Sequence, residues 1–375
     1  MPVDIITDLD IEQPRGCCLN TFFCMVVGFL LVPFAVFILY QNEQRAVQVD
    51  RDLNAGSHQV VTVSASPVTH MLDGRLVYVV GPGTPARPVV DPRFGLKTND
   101  LALRRDVEMY QWTESSTYEQ VGPVRATTYS YRTEWSAEPV PSSSFRHPAN
   151  HKNPPMPVQT TVLWADAHCG AYAIGPDLLH KLHDFRPVAP TRIPIRGRWK
   201  RTATGLYLGA NPAEPHVGDL RVTFREIPTG PVSIVGGVRK GRLGSYTTPK
   251  HTSIAEIELG SHPAADLFHA AHVENVQQLW LVRLAGLVVM FLGFLLVGAP
   301  ILAVADAIPV FGWILGDVDA LVCFGLALMA SLVTIAVGWI HARPLEGAIL
   351  MGAAGLVLIA TSLRGRRRRR SLAAR

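Results

Sequence analysis

Residues 21–40, TFFCMVVGFLLVPFAVFILY, decide the fold: they run for 20 residues without a charge. A bilayer core about 30 Å thick takes roughly 20 helical residues, and such a stretch is too long and too uniformly apolar for a buried core helix. Working outward, a second charge-free run at 284–305 has 22 residues and a third at 320–340 has 21. A fourth, 348–363, has 16, and reaches 19 if it begins at Leu345 with Glu346 at the interface. The short link carrying Arg343 and Pro344 reads as the tip of a helical hairpin. The first run is expected to be a retained anchor. It follows Asp4, Asp8, Asp10 and Glu12 against a lone Arg15, and Tyr40-Gln41-Asn42-Glu43 offers no small-residue cleavage site.

These runs predict a multipass α-helical membrane protein with four spans and a large β-rich α+β soluble domain between spans one and two. The expected organisation is a cytosolic N-terminal segment at 1–20 and helix one at 21–40. A lumenal or extracellular domain follows at 41–283, then helices at 284–305, 320–340 and 345–363, and a basic cytosolic tail at 364–375. Orientation rests on that tail, because clusters of arginine stay cytoplasmic.

Hydrophobic residues make up 48% of the 375 and charged ones only 17%, against a usual charged share of about 25%, so a disordered chain is excluded. Five cysteines exclude a disulfide scaffold, and Cys169 stands alone in the large domain. The net charge of +5 is local: without residues 364–375 the chain holds 28 basic and 30 acidic residues. Nucleic-acid binding by the folded body is therefore not expected. Arg364, Arg366, Arg367, Arg368, Arg369 and Arg370 read as a topology signal or as contacts to anionic lipid, at roughly 1 kcal/mol each.

Within the domain, Tyr129, Tyr131, Thr133 and Trp135 alternate with polar residues, the period of a strand. Residues 106–112 are an expected earlier strand, reached across a polar connection at 113–123. Leu220, Val222 and Phe224 mark another. Residues 59–64 and 76–80 flank an Asp73-Gly74 turn, and 232–238 is a further strand. Helices are expected at 177–185 and 264–282, and Pro-rich loops at 81–92, 139–157 and 186–195.

Chemistry is thinly signalled. Asp166, His168 and Cys169 suggest a thiol nucleophile, but neighbours on an extended segment point to opposite faces. His262, His269 and His272 suggest a metal, yet no H-E-x-x-H pattern accompanies them. Phosphate-cradling and nucleophile-elbow motifs are absent from the sequence. No cofactor is expected. Cys17 and Cys18, just before the first span, fit lipidation. Ser331, Thr334 and Gly338 share one face of the third span and fit close helix packing. The spans carry almost no ionisable residue, which disfavours a channel or transporter.

Several stretches carry a resemblance: Asn42-Glu43-Gln44-Arg45-Ala46, Gly74-Arg75-Leu76-Val77, Asp91-Pro92-Arg93-Phe94-Gly95 and, most specific, residues 103–112, LRRDVEMYQW. Further on come Tyr129-Ser130-Tyr131-Arg132-Thr133-Glu134-Trp135, His151-Lys152-Asn153-Pro154 and Gly218-Asp219-Leu220-Arg221-Val222. Pro309-Val310-Phe311 and Gly338-Trp339 with Arg343-Pro344-Leu345 follow near the end. In these and in its layout the chain resembles the LUMA family, the family of transmembrane protein forty-three, over roughly residues 20–363. The acidic N-terminus and the arginine tail depart from that pattern. The resemblance implies a non-enzymatic membrane organiser of the endoplasmic reticulum and inner nuclear membrane, with its large domain lumenal. It also implies self-association and, in a eukaryote, emerin- and lamin-type partners; in a bacterium only the membrane scaffold remains. It supplies no catalytic residue. The alternative kept beside it is a membrane-bound thiol- or metal-dependent hydrolase.

Overall fold

The structure, a computed structural model, describes residues 3–11, 17–68, 70–121, 124–306 and 312–339, with positions 349, 352, 353, 355 and 356. It divides into a sheet unit (residues 1–13, 59–248 and 253–267) and a helix unit (residues 14–58, 249–252 and 268–375).

The sheet unit begins with β1 (Val3–Ile11), followed after the first helix by β2 (Val61–Ser64) and β3 (Leu76–Pro85). The long strands β4 (Ala102–Val121) and β5 (Val124–Ser136) form a ribbon. Short strands follow, β6 (Thr161–Trp164), β7 (Ala167–Cys169), β8 (Tyr172–Ile174) and β9 (Leu206–Leu208). The last are β10 (Leu220–Ile227), β11 (Gly230–Arg239), β12 (Arg242–Gly244) and β13 (Glu256–Leu259). One sheet runs β1-β5-β4-β10-β9, with β6 also on β4. In the other, β3, β11, β12, β8 and β7 pair successively and β7 returns to β3, which closes a ring. Inside that sheet lie Val77, Val79, Cys169, Tyr172, Val232, Ile234 and Leu243, all buried. The first sheet packs Phe94, Leu103, Val107, Met109, Leu220, Val222 and Phe224.

The expected strands at 106–112, 129–135, 220–225 and 232–238 lie within β4, β5, β10 and β11. Residues 113–121 are not a connection, however. Thr113, Thr117 and Tyr118 are good strand formers, and they extend β4 along β5 as far as Val121 opposite Val124. The Pro-rich stretch at 81–85 is likewise strand, because Gly81 and Gly83 remove side chains that would collide with Ala65 and Val232. β2 runs parallel to β3, so the Asp73-Gly74 turn is not a hairpin between them. The expected helix at 177–185 shrinks to α2 (Pro176–Leu179), four residues opened by Pro176. This leaves the large domain almost purely β among its described residues.

The N-terminal segment contributes a strand to the sheet unit. Val3–Ile11 pairs antiparallel with β5 along its whole length, from Val3 opposite Arg132 to Ile11 opposite Val124. A ladder needs strands about 4.8 Å apart, so residues 3–11 lie against the sheet unit in this structure.

The helix unit holds α1 (Cys17–Gln59), most of α3 (Ala264–Asp306) and α4 (Gly312–Trp339). Three segments are long and apolar enough to cross a membrane, within Phe23–Gln59, Ala264–Gly298 and Ala320–Trp339. The helices thus overrun the spans expected at 21–40 and 284–305. Pro33 does not end α1, as is common in spanning helices. Ala35, Leu39, Met290 and Ala327 form the packed centre. A Cβ on Gly28 would stand 2.7 Å from the Gly293 carbonyl oxygen and 2.8 Å from the Val297 nitrogen, so the glycine permits backbone contact between α1 and α3. Phe23, Phe29, Leu30, Phe34 and Phe37 stay exposed, an apolar outer face suited to lipid. The expected fourth span at 345–363 lies almost wholly outside the described residues, and the arginines at 364 and 366–370 lie outside them altogether.

Candidate functional site

Two polar assemblies stand out, one in each unit. In the helix unit it is built from Asn42, Glu43, Gln44 and Arg45, just beyond the first apolar run. The Glu43 side chain is fully buried. Arg283, immediately before the second run, donates to it twice, Nε to Oε1 at 2.7 Å and Nη2 to Oε2 at 2.8 Å. Trp339 Nε1 donates to the same carboxylate. The Arg283 guanidinium also lies over the Trp280 ring (4.8 Å) and the Trp339 ring (5.6 Å). Around this pair, Gln44 donates to the Gly338 carbonyl (3.0 Å), Asn42 to the Leu279 carbonyl (3.2 Å) and Asn275 to the Ala46 carbonyl (3.0 Å). A bidentate pair with further hydrogen bonds offsets the cost of burying two charges, and it ties α1, α3 and α4 together at one level.

Gly338 belongs to this clasp, for a Cβ there would meet the Glu43 Cβ at 2.7 Å. Ser331 is buried, with Oγ 3.6 Å from Met290 Sδ, and Thr334 is buried and donates to the Ala330 carbonyl. The structure therefore puts Ser331 and Gly338 at helix contacts. Cys17 opens α1, and its side chain and that of Cys18 are outside the described ones.

The sheet unit's assembly joins β1 to the loop after β5. Arg146 Nε donates to Asp8 at 2.9 Å, and His147 Nε2 lies 3.3 Å from the same carboxylate. The carboxyl of Asp8 is held below its ordinary value, chiefly by that hydrogen bond from Arg146. The buried His151 sets Nε2 3.2 Å from Asp4 and Nδ1 2.9 Å from the His147 carbonyl, so both ring nitrogens face oxygens. Its ring stacks on Tyr131 at 3.9 Å and meets Trp112 edge-on at 4.8 Å. Burial, together with Glu114 accepting its proton, pushes the Tyr131 hydroxyl up to about 12. Asn153 holds both the N–H and the C=O of Trp112.

The candidate chemical residues are engaged elsewhere. Cys169 is fully buried, with its thiol pushed up to about 11 by burial, while Asp166 sits at the surface on Arg87 (2.9 Å). His168 alternates with Cys169 along β7 and is less buried. His262 receives a backbone contact from Leu259, and His272 faces Asp50 at 3.2 Å. No group of three or more potential metal ligands occurs among the described residues.

Sequence reasoning missed both assemblies. A signal existed for each: Glu43 and Arg283 are opposite charges bordering successive apolar runs, and Val3, Ile5, Thr7, Leu9 and Ile11 alternate with Asp4, Asp8 and Asp10 at strand period.

The comparisons agree with the resemblance. The profile of the family described as Transmembrane protein 43 matches residues 109–344. Transmembrane protein 43 of Rattus norvegicus is 30% identical over 344 residues, covering 87% of this chain and 86% of its own length. The Homo sapiens protein is 29% identical over 348 residues (88% and 87%), and the homolog of Drosophila melanogaster 28% over 335 (84% and 87%). No solved structure matches. Over nearly its whole length, then, the chain belongs to the transmembrane protein 43 family.

Proposed function

We propose that this protein is a non-enzymatic organiser of the membrane that holds it, acting through self-association and partner binding. In a eukaryotic cell it would work in the endoplasmic reticulum and inner nuclear membrane with emerin- and lamin-type partners, its large domain lumenal. The observation that carries the reading is the Glu43–Arg283 clasp, which spends the conspicuous buried charges of the helix unit on fixing helices. Lipid-facing aromatic residues and small-residue contacts in the same unit suit an assembling membrane element.

The test is chemical cross-linking of two differently tagged copies in native membranes, with localisation by microscopy. Mixed cross-linked species at the nuclear envelope or endoplasmic reticulum are expected. A strictly monomeric protein would sink the reading. The hydrolase alternative requires Cys169 with His168 for a thiol mechanism, or His262, His269 and His272 meeting a carboxylate for a metal one. Alanine variants of Cys169 and His168 should keep full cross-linking and localisation, since a thiol sealed in the sheet interior is a poor nucleophile.

A further inference from the structure

We propose that the turn joining β11 to β12 is a binding site for a phosphate ester, carried either by a small soluble molecule or by a lipid headgroup. The turn reads Arg239-Lys240-Gly241-Arg242. It overhangs an open cleft of about 360 Å³ bordered by Gly74, Gly237, Gly244, Ser245, Tyr246 and Thr247. That volume is near the lower end for ligand sites, about 300–1,000 Å³, and suits a compact anion.

Three cations in four residues repel one another, so their placement needs an explanation. Elsewhere in the sheet unit Arg87, Arg104, Arg105, Arg132, Arg192, Arg221 and Arg225 each meet a carboxylate, while Arg75, Arg93, Arg186, Arg196, Arg198 and Arg201 do not, and these are more widely spaced along the chain than the turn's three cations. Among the described residues, Arg239, Lys240 and Arg242 have no such partner. The two acids beside them are committed to the backbone: Asp73 accepts the Lys240 N–H (3.0 and 3.1 Å) and Asp177 accepts the Ser245 N–H. The acids therefore shape the turn and leave its charges free.

The frame is also rigid. Lys240 and Gly241 take positive φ (52° and 75°), as in the tight hairpin turn that glycine at the second position favours. Gly74 donates to the Val238 carbonyl at 2.7 Å, which locks the Asp73-Gly74 turn beneath. Two arginines, the Thr247 hydroxyl and glycine-rich backbone on a fixed support are the donor set a phosphoryl group takes, while the Ser245 hydroxyl is engaged by that of Ser253. A preformed site loses little to ordering on binding.

The experiment uses the full chain in phosphatidylcholine nanodiscs. One arm titrates myo-inositol 1-phosphate by calorimetry. The other measures capture of vesicles of phosphatidylcholine alone or with phosphatidylinositol phosphate. Arg239→Gln with Arg242→Gln is compared with Arg87→Gln with Arg132→Gln, which removes equal charge elsewhere on exposed surface. Saturable binding in the first arm, weakened about tenfold or more only by the turn variant, supports the soluble ester. Vesicle capture with that same dependence, without soluble binding, supports the headgroup. No binding in either arm, or equal loss in both variants, overturns the site. Unchanged circular dichroism checks that the variants are folded.

Discussion

At the scale of single residues, charge placement separates what holds the protein together from what is available for binding. Glu43 is buried against Arg283, so Glu43→Ala leaves an arginine buried without its partner. Such losses cost about 3–5 kcal/mol, and the variant should melt at clearly lower temperature in detergent. An unchanged melting curve would mean that Arg283 finds another acceptor and that the clasp is not what fixes the helices. Cys169 gives a second expectation. With its thiol up at about 11 and no exposed surface, it should resist maleimide at neutral pH until the chain is denatured, as read by mass spectrometry of its peptide. Rapid native labelling would contradict its burial. The sequence warned of this case, because alternation along an extended segment separates His168 from Cys169. It gave no hint that Gly81 makes room for the sulfur, 3.1 Å from where a Cβ would sit, since that contact joins residues far apart in the chain.

At the scale of elements, the apolar runs and the two-residue alternations were legible because each is a local pattern. Three of the four expected spans overlap helices long and apolar enough to cross, and the strands expected at 106–112, 129–135, 220–225 and 232–238 fall inside real ones. What local pattern did not give was extent. Thr113 to Val121 looks polar and loop-like, yet it is strand because β5 lies beside it, and α1 runs 43 residues because its polar second half packs on α3 through Asn42, Arg45 and Asn275. Helix contact is tight enough for a forecast. Gly28→Val would press Cβ onto backbone atoms that cannot yield, and should lower thermal stability by about 1–3 kcal/mol, whereas Val36→Ala on the exposed face should change little. The docking of β1 depends on pH through Asp8. A carboxyl lowered in the folded state adds stability above its unfolded value, about 3.9, and loses that contribution as pH falls through the folded value. Protection factors for hydrogen exchange along β1 should thus be high at neutral pH and fall below about pH 4. Arg146→Gln, by removing the main cause of the lowering, should reduce protection already at neutral pH and flatten its pH dependence. Identical exchange profiles for the two proteins would rule Asp8 out as the anchor.

At the scale of the whole molecule, the family and the membrane character were legible, and the strand at Val3–Ile11 was not. Acidic residues before an anchor read naturally as a cytosolic segment, and the strand they form shows only through a partner far along the chain. Tags at both ends with protease protection in isolated membranes test this. The N-terminal tag should share the fate of the sheet unit, protected or digested together. An N-terminal tag cut while the sheets survive would mean that β1 leaves β5 in the membrane. The ladder also has a consequence in time. Thr7 and Thr128 face each other across 121 residues of chain. Synthesis at about 5–20 residues per second makes β1 wait roughly 6–24 seconds before its neighbour leaves the ribosome. Throughout that interval the first strand made has no template to join. The edge that β1 will cover thus stays open during synthesis, and an unfinished copy offers a neighbouring ribosome's product the same edge.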